Sequence, residues 1–106
     1  MTRENVLLFI GMAINAEKQA RENETAIKEE TGLSYAAVNL RSTPEVHVMV
    51  KDMKPICEAM GEHPAIKARD CDTYPFELSI VVEGSKVFAI CERVPDWAES
   101  PEVGNE

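Results

Sequence analysis

With 106 residues, 44% of them hydrophobic, and a net charge of −8, the chain has length for one domain with a genuine core but not for two. The acidity grows along the chain: residues 1–43 carry five basic and six acidic side chains, residues 44–92 five and nine, and residues 93–106 one and four. Such a surface repels a phosphate backbone over a Debye length, which disfavours direct nucleic-acid binding and suits a partner with a basic surface.

Thr2 is placed to cap a helix that runs on to Glu30. Val6, Phe9, Ala13, Ala16, Ala20 and Ile27 recur at three- and four-residue steps and make one apolar face, which Asn23 interrupts. Glu17–Arg21 and Glu24–Lys28 are i,i+4 pairs in the favourable order. Gly32 suits the position after the helix, followed by apolar Leu33. The stretch Val6 to Ile14 is apolar nearly all round, which fits either burial against a sheet or a helix shared between two subunits. In the second case Leu7, Leu8, Ile10 and Ile14 form the interface of a homodimer. Nine apolar residues are too few to span a bilayer, so no membrane segment is read here. The preceding MTREN has little positive charge, and no small-x-small cleavage site follows, so the run is not read as a secretory leader.

Leu33 to Arg41 alternates as a strand does, but its alanines also permit a short helix. Val46, Val48 and Val50 alternate with His47 and Met49 as a short strand. Asp52 is then expected to cap a helix from Met53 to Met60, with Pro55 in its first turn and Gly61 at its end. Ala65 to Asp70 permits a further strand with Ile66 and Ala68 inward. Phe76, Leu78, Ile80 and Val82 give the clearest strand, and Val87, Ala89 and Cys91 its return. Gly84-Ser85 is expected as a two-residue type II′ turn, pairing Glu83 with Lys86, Val82 with Val87, Ile80 with Ala89 and Leu78 with Cys91. After Arg93 the composition turns to proline and acid. Residues 1–92 are therefore expected as one α+β domain and residues 93–106 as a loose acidic tail. The domain is a long N-terminal helix and one short helix packed on an antiparallel sheet of three to five strands.

Four groupings of residues bear on chemistry. Ile27 to Val38, IKEETGLSYAAV, resembles a helix-turn-helix, with T-G-L-S at the turn and a valine six residues after the glycine. Lys28 stands where that family usually has a small residue, and SYAAVNLR offers only Arg41 as a base. A small transcriptional regulator is accordingly the alternative reading. Cys57, His63, Cys71 and Cys91 could make a tetrahedral set, but their spacings match no paired zinc knuckle. No metal or cofactor is expected, and the cysteines read as reduced thiols in a cytoplasmic protein. Cys71 with His63 is the one conceivable nucleophile and base, without an orienting group, so no enzyme is expected. Tyr74, Phe88, Met49, His47 and Trp97 are candidates for exposed aromatic or soft contacts, with core packing favoured for Tyr74 and Phe88.

Tyr74-Pro75-x-Glu77, then Gly84, then Val87-Phe88-Ala89, resemble small uncharacterised proteins carried by bacteriophages and mobile elements of gut bacteria. That resemblance covers the second half of the chain and brings no activity. It implies a setting in which small acidic proteins bind and block a host protein, defence nucleases included. The leading expectation is a homodimeric, cytoplasmic protein-binding module that inhibits a basic-surfaced host protein, of anti-CRISPR or other anti-defence type. Asp70, Asp72, Glu77, Glu92 and Trp97 are its expected contact residues, with Glu77 and Glu92 opposite each other on the hairpin. A structural or assembly subunit is the third reading.

Overall fold

The computed structural model describes residues 1–18, 24–40 and 42–99. It holds four helices, α1 (Arg3–Lys18), α2 (Glu24–Thr31), α3 (Val50–Met60) and α4 (Asp96–Glu99). Five strands, β1 (Tyr35–Asn39), β2 (Glu45–Val48), β3 (Ala65–Ala68), β4 (Phe76–Val82) and β5 (Ser85–Cys91), form one sheet in the order β1-β2-β5-β4-β3. The class is α+β, as expected.

The N-terminal helical region begins as its sequence dictates. Thr2 Oγ1 accepts from the Asn5 N–H at 3.1 Å, and the Thr2 carbonyl accepts from Val6 at 3.1 Å. It is not one long helix. Asn5 Nδ2 donates to the Thr31 carbonyl at 2.8 Å. In a continuous helix residues 5 and 31 would stand about 39 Å apart. The chain therefore doubles back, and α1 and α2 pack on each other as an antiparallel pair. Ala20 and the Glu17–Arg21 partner fall outside the described residues. Gly32, at φ +76, ends α2 as expected, its N–H donating to Lys28 at 2.9 Å.

The alternation from Leu33 to Arg41 permits strand or helix, and Tyr35–Asn39 is a strand. Its alternation is broken by a bulge at Ala36, because Tyr35 pairs with Val48 but Ala37 with His47. The extra residue lets Tyr35 and Val38, three apart, both point into the core. This strand also removes the helix-turn-helix, since the segment that would be the recognition helix is β1.

β1 and β2 are antiparallel, but β2 and β5 run parallel, so the sheet is mixed rather than antiparallel. After β2, α3 carries the chain across the sheet to the far edge. β3, β4 and β5 then meander back to β2. Parallel neighbours need such a crossover, and an alternating pattern alone does not reveal it.

The β4–β5 hairpin keeps the expected faces with a different turn. Val82 pairs with Ser85, Ile80 with Val87 and Leu78 with Ala89. The turn residues are Glu83 and Gly84, at φ +50 and +82, and two positive φ values define a type I′ turn. The pairing moves by two residues, so every side chain stays on its expected face. Glu77 consequently pairs with Ile90, and it does not oppose Glu92.

Helix α3 starts three residues earlier than expected, at Val50, after Met49 in extended conformation. Asp52 therefore sits within the first turn and makes no side-chain cap. Its charge still favours the positive end of the helix dipole. Pro55 lies inside the helix, beyond the first turn.

The core lies between one sheet face and α1 and α3. Val46, Val48, Leu78, Val82, Val87 and Ala89 meet Val6, Phe9, Ala13, Met53 and Ile56, all at most 1% exposed. β3 is an edge strand whose four residues are all exposed. Ile66 pairs with buried Leu78 and shares its face, yet stays 44% exposed, and Ala68 is exposed as well. The helices cover β1, β2, β4 and β5 but stop short of this edge. Residues 93–99 are no loose tail. Val94 and Trp97 pack against the core, and Ala98 is fully buried.

Candidate functional site on the open face of the sheet

Helices take one face of the sheet, and the other lies open. Strand alternation sends Glu77, Ser79 and Val81 of β4, Lys86, Phe88 and Ile90 of β5, and His47 of β2 to that open face. At its centre His47 and Phe88, neighbours in register, stack with ring centroids 4.8 Å apart and planes 12° from parallel. The Lys86 ammonium lies 5.2 Å from the Phe88 centroid and 2.9 Å from a Glu77 carboxylate oxygen. Glu77, Lys86, Phe88 and His47 thus form one row across three strands. It shields the sheet on the side that no described helix covers. Burial holds His47 below the ordinary histidine pKa, Arg69 adds to the shift, and Glu77 opposes it. The shift favours the uncharged form of the stacked ring.

Beside this row runs a groove. Two depressions of about 240 and 410 Å³ share Val50, Tyr74 and Ile90 and make one trough. Met49 and His47 border it on the β2 side, Glu92 and Arg93 on the β5 side. Its apolar walls are accessible: Met49 is 51% exposed, Tyr74 40% and Val50 36%. Three separate segments build it. Val50 is the first residue of α3, and Ile90 is near the end of β5. Tyr74 is presented by a loop that Arg69 ties shut. The Arg69 guanidinium donates to the Tyr74 carbonyl at 2.7 Å, and the Arg69 backbone N–H donates to the Pro75 carbonyl at 2.7 Å.

Cys71 is on the same loop. Backbone N–H groups of Tyr74 and Thr73, then Arg69, hold its thiol below the ordinary cysteine pKa. Cys57 behaves oppositely, pushed up to about 11 by burial and then by Glu62 and Glu58. Burial also raises Cys91. His63 precedes β3 and Cys71 follows it, so the one conceivable base and nucleophile stand at opposite ends of a strand. Cys91 is on the core face. Among the described residues no three His, Cys, Asp or Glu side chains are placed to hold a metal ion. No described helix is long and apolar enough to cross a membrane.

The expected contact residues divide. Asp70 and Asp72 are exposed on the Tyr74 loop, and Glu92 borders the groove. Glu77 is taken by Lys86, its side chain only 12% exposed. Trp97 turns inward to a separate hollow between the end of α3 and α4, shared with Cys57, Glu58 and His63. On α1, Leu8 is 45% exposed, and Leu7 and Ile14 are half-buried. Ile10 is 6% exposed and belongs to the core, which removes it from the expected interface. Val50 and Ile90 were not among the expected contacts. Each looked like one more apolar strand residue, and only the crossover of α3 sets them side by side.

Comparison with protein-family models, with curated proteins and with solved structures found no match.

Proposed function

We propose that this chain is a non-catalytic protein-binding module that docks a partner on the open face of its sheet, at the Val50–Tyr74–Ile90 groove. The observation that carries the reading is the exposure of Met49, Tyr74 and Val50 around an apolar trough built by three segments. Exposed apolar walls of this kind are costly in water and suit a contact surface, where aromatic and soft side chains concentrate. The charge of −8, with Glu92 at the groove and Asp70 and Asp72 on the Tyr74 loop, favours a partner with a basic surface. A host protein that handles nucleic acid or acts in defence is such a partner. The chain would inhibit it in the host cytoplasm by covering its basic site, in the anti-CRISPR or related anti-defence manner.

The test is affinity retention from host lysate with the intact chain and with Ile90→Asp and Tyr74→Ala. The expected result is a nucleic-acid-handling protein held by the native chain, released by high salt and lost with Ile90→Asp. Retention that both variants leave intact places the contact elsewhere. Retention of duplex DNA itself overturns the protein-binding reading.

A further inference from the structure

Helix α1 carries a glycine that no contact among the described residues explains. Gly11 is the ninth of its sixteen residues, far from either cap. It is exposed, and a Cβ built on it meets no atom of the described residues within 4 Å. A mid-helix glycine costs about 1 kcal/mol relative to alanine. The described residues leave room for alanine there, and Gly11 has no positive φ that would need a glycine. A glycine on an exposed helix face has one further physical use: it lets another backbone approach closely.

The surroundings of Gly11 say which backbone. The face opposite the buried Val6, Phe9, Ala13 and Ala16 consists of Glu4, Leu8, Gly11, Asn15 and Lys18, with Leu7 and Ile14 on its flank. Glu4 and Lys18 both lie seven residues from Gly11, one on each side. In an α-helix that places each about 10.5 Å along the axis and within about 20° of the line through Gly11. Neither has an ion-pair partner among the described residues. The stripe is thus complementary to its own reverse. Two copies of α1 crossing antiparallel at Gly11 bring Glu4 beside Lys18 of the partner subunit, twice, as a two-fold axis requires. Leu7, Leu8 and Ile14 supply apolar surface around the crossing, and the two helix dipoles oppose favourably.

We infer that the outer face of α1 binds a second copy of this chain about a two-fold axis at Gly11, with reciprocal Glu4–Lys18 ion pairs. The inference is independent of the groove, which lies on the opposite side of the sheet from α1. A dimer built this way presents two grooves, so a partner with two equivalent sites is held at both.

Sedimentation velocity on the intact chain, from low to high micromolar concentration, reads the dimer as twice the 11.8 kDa chain mass. Gly11→Leu, which the exposed position accommodates, is expected to give a folded monomer with undiminished helical circular dichroism. Glu4→Lys and Lys18→Glu are each expected to weaken the dimer about tenfold, and the double exchange to bring it back within about twofold. A role confined to the helix dipole predicts additive losses with no rescue, and that result overturns the proposed pairing. So does a native chain that stays monomeric throughout the range, or a dimer that Gly11→Leu leaves unchanged.

Discussion

The two faces of this sheet come from the same strands and the same alternation, yet they are built on different physics. On the helix side the side chains are aliphatic, close-packed and dry: Leu78, Val82, Val87 and Ala89 are at most 1% exposed. On the open side the strands carry Glu77, Lys86, Phe88 and His47, which satisfy one another by ion pair, cation–π contact and ring stacking. Val81, on the open face, is 67% exposed. Alternation divides a strand into two faces without saying which one a helix will cover. Coverage depends on how much apolar helix surface exists, and here α1 and α3 are spent on one side. The uncovered side is where a contact surface can exist without dismantling the core.

The contrast predicts unequal costs. Leu78→Ala should destabilise the fold by about 2–5 kcal/mol through lost burial and a residual cavity. Val81→Ala, three residues along the same strand and on the opposite face, should change stability by about 0.5 kcal/mol or less. Urea denaturation of both variants measures the difference, and equal effects would mean that the open face is covered after all.

The hairpin turn holds the two faces apart, because a one-residue slip would exchange them. Gly84 at φ +82 and Glu83 at φ +50 fix that register. Gly84→Ala is expected to cost about 1–2 kcal/mol, since an L side chain there is strained whatever space surrounds it. Glu83→Gly should relieve part of the same strain, and the pair of melting temperatures should move in opposite directions.

Thiol reactivity gives the finest probe. Cys71 should be alkylated first in the native protein, because its thiolate forms at lower pH than that of an ordinary cysteine. Cys57 and Cys91 should react only on unfolding, as peptide mass spectrometry after brief iodoacetamide treatment will show. The Cys57 shift also has a stability consequence. Its folded pKa lies above the unfolded value of 9.0, so the unfolded chain loses its proton first. Stability is intact below about pH 9 and falls as the pH rises towards about 11.

Some of the candidate site was legible beforehand. Met49 and His47 are soft or aromatic residues in an apolar alternation, and Met49 is exposed while His47 is half-buried; Tyr74, for which core packing is the favoured expectation, is instead 40% exposed. Phe88 belongs to the open face but is half-buried there by His47 and Lys86. Val50 and Ile90 did not stand out, because one apolar residue in an apolar stretch looks like another until its spatial neighbour is known. Glu77 was misjudged for the same reason. Its partner Lys86 is nine residues away in the chain and pairs with Val81, and its ammonium reaches Glu77 past the Phe88 ring only because the hairpin puts all three on one face.

What the sequence determined by itself was local. Thr2 capped a helix, Gly32 and Gly61 ended theirs, and the alternation from Phe76 to Cys91 made two strands with the correct faces. Capping, positive φ and period-2 burial act within a few residues and are written there. Tertiary structure alone decided the rest: the return of α2 along α1, the parallel pairing of β2 with β5, the bulge at Ala36 and the docking of Trp97. These depend on which distant surfaces together bury the most apolar area with their backbone groups still paired. That is a property of the whole chain, and no short stretch of it carries the answer.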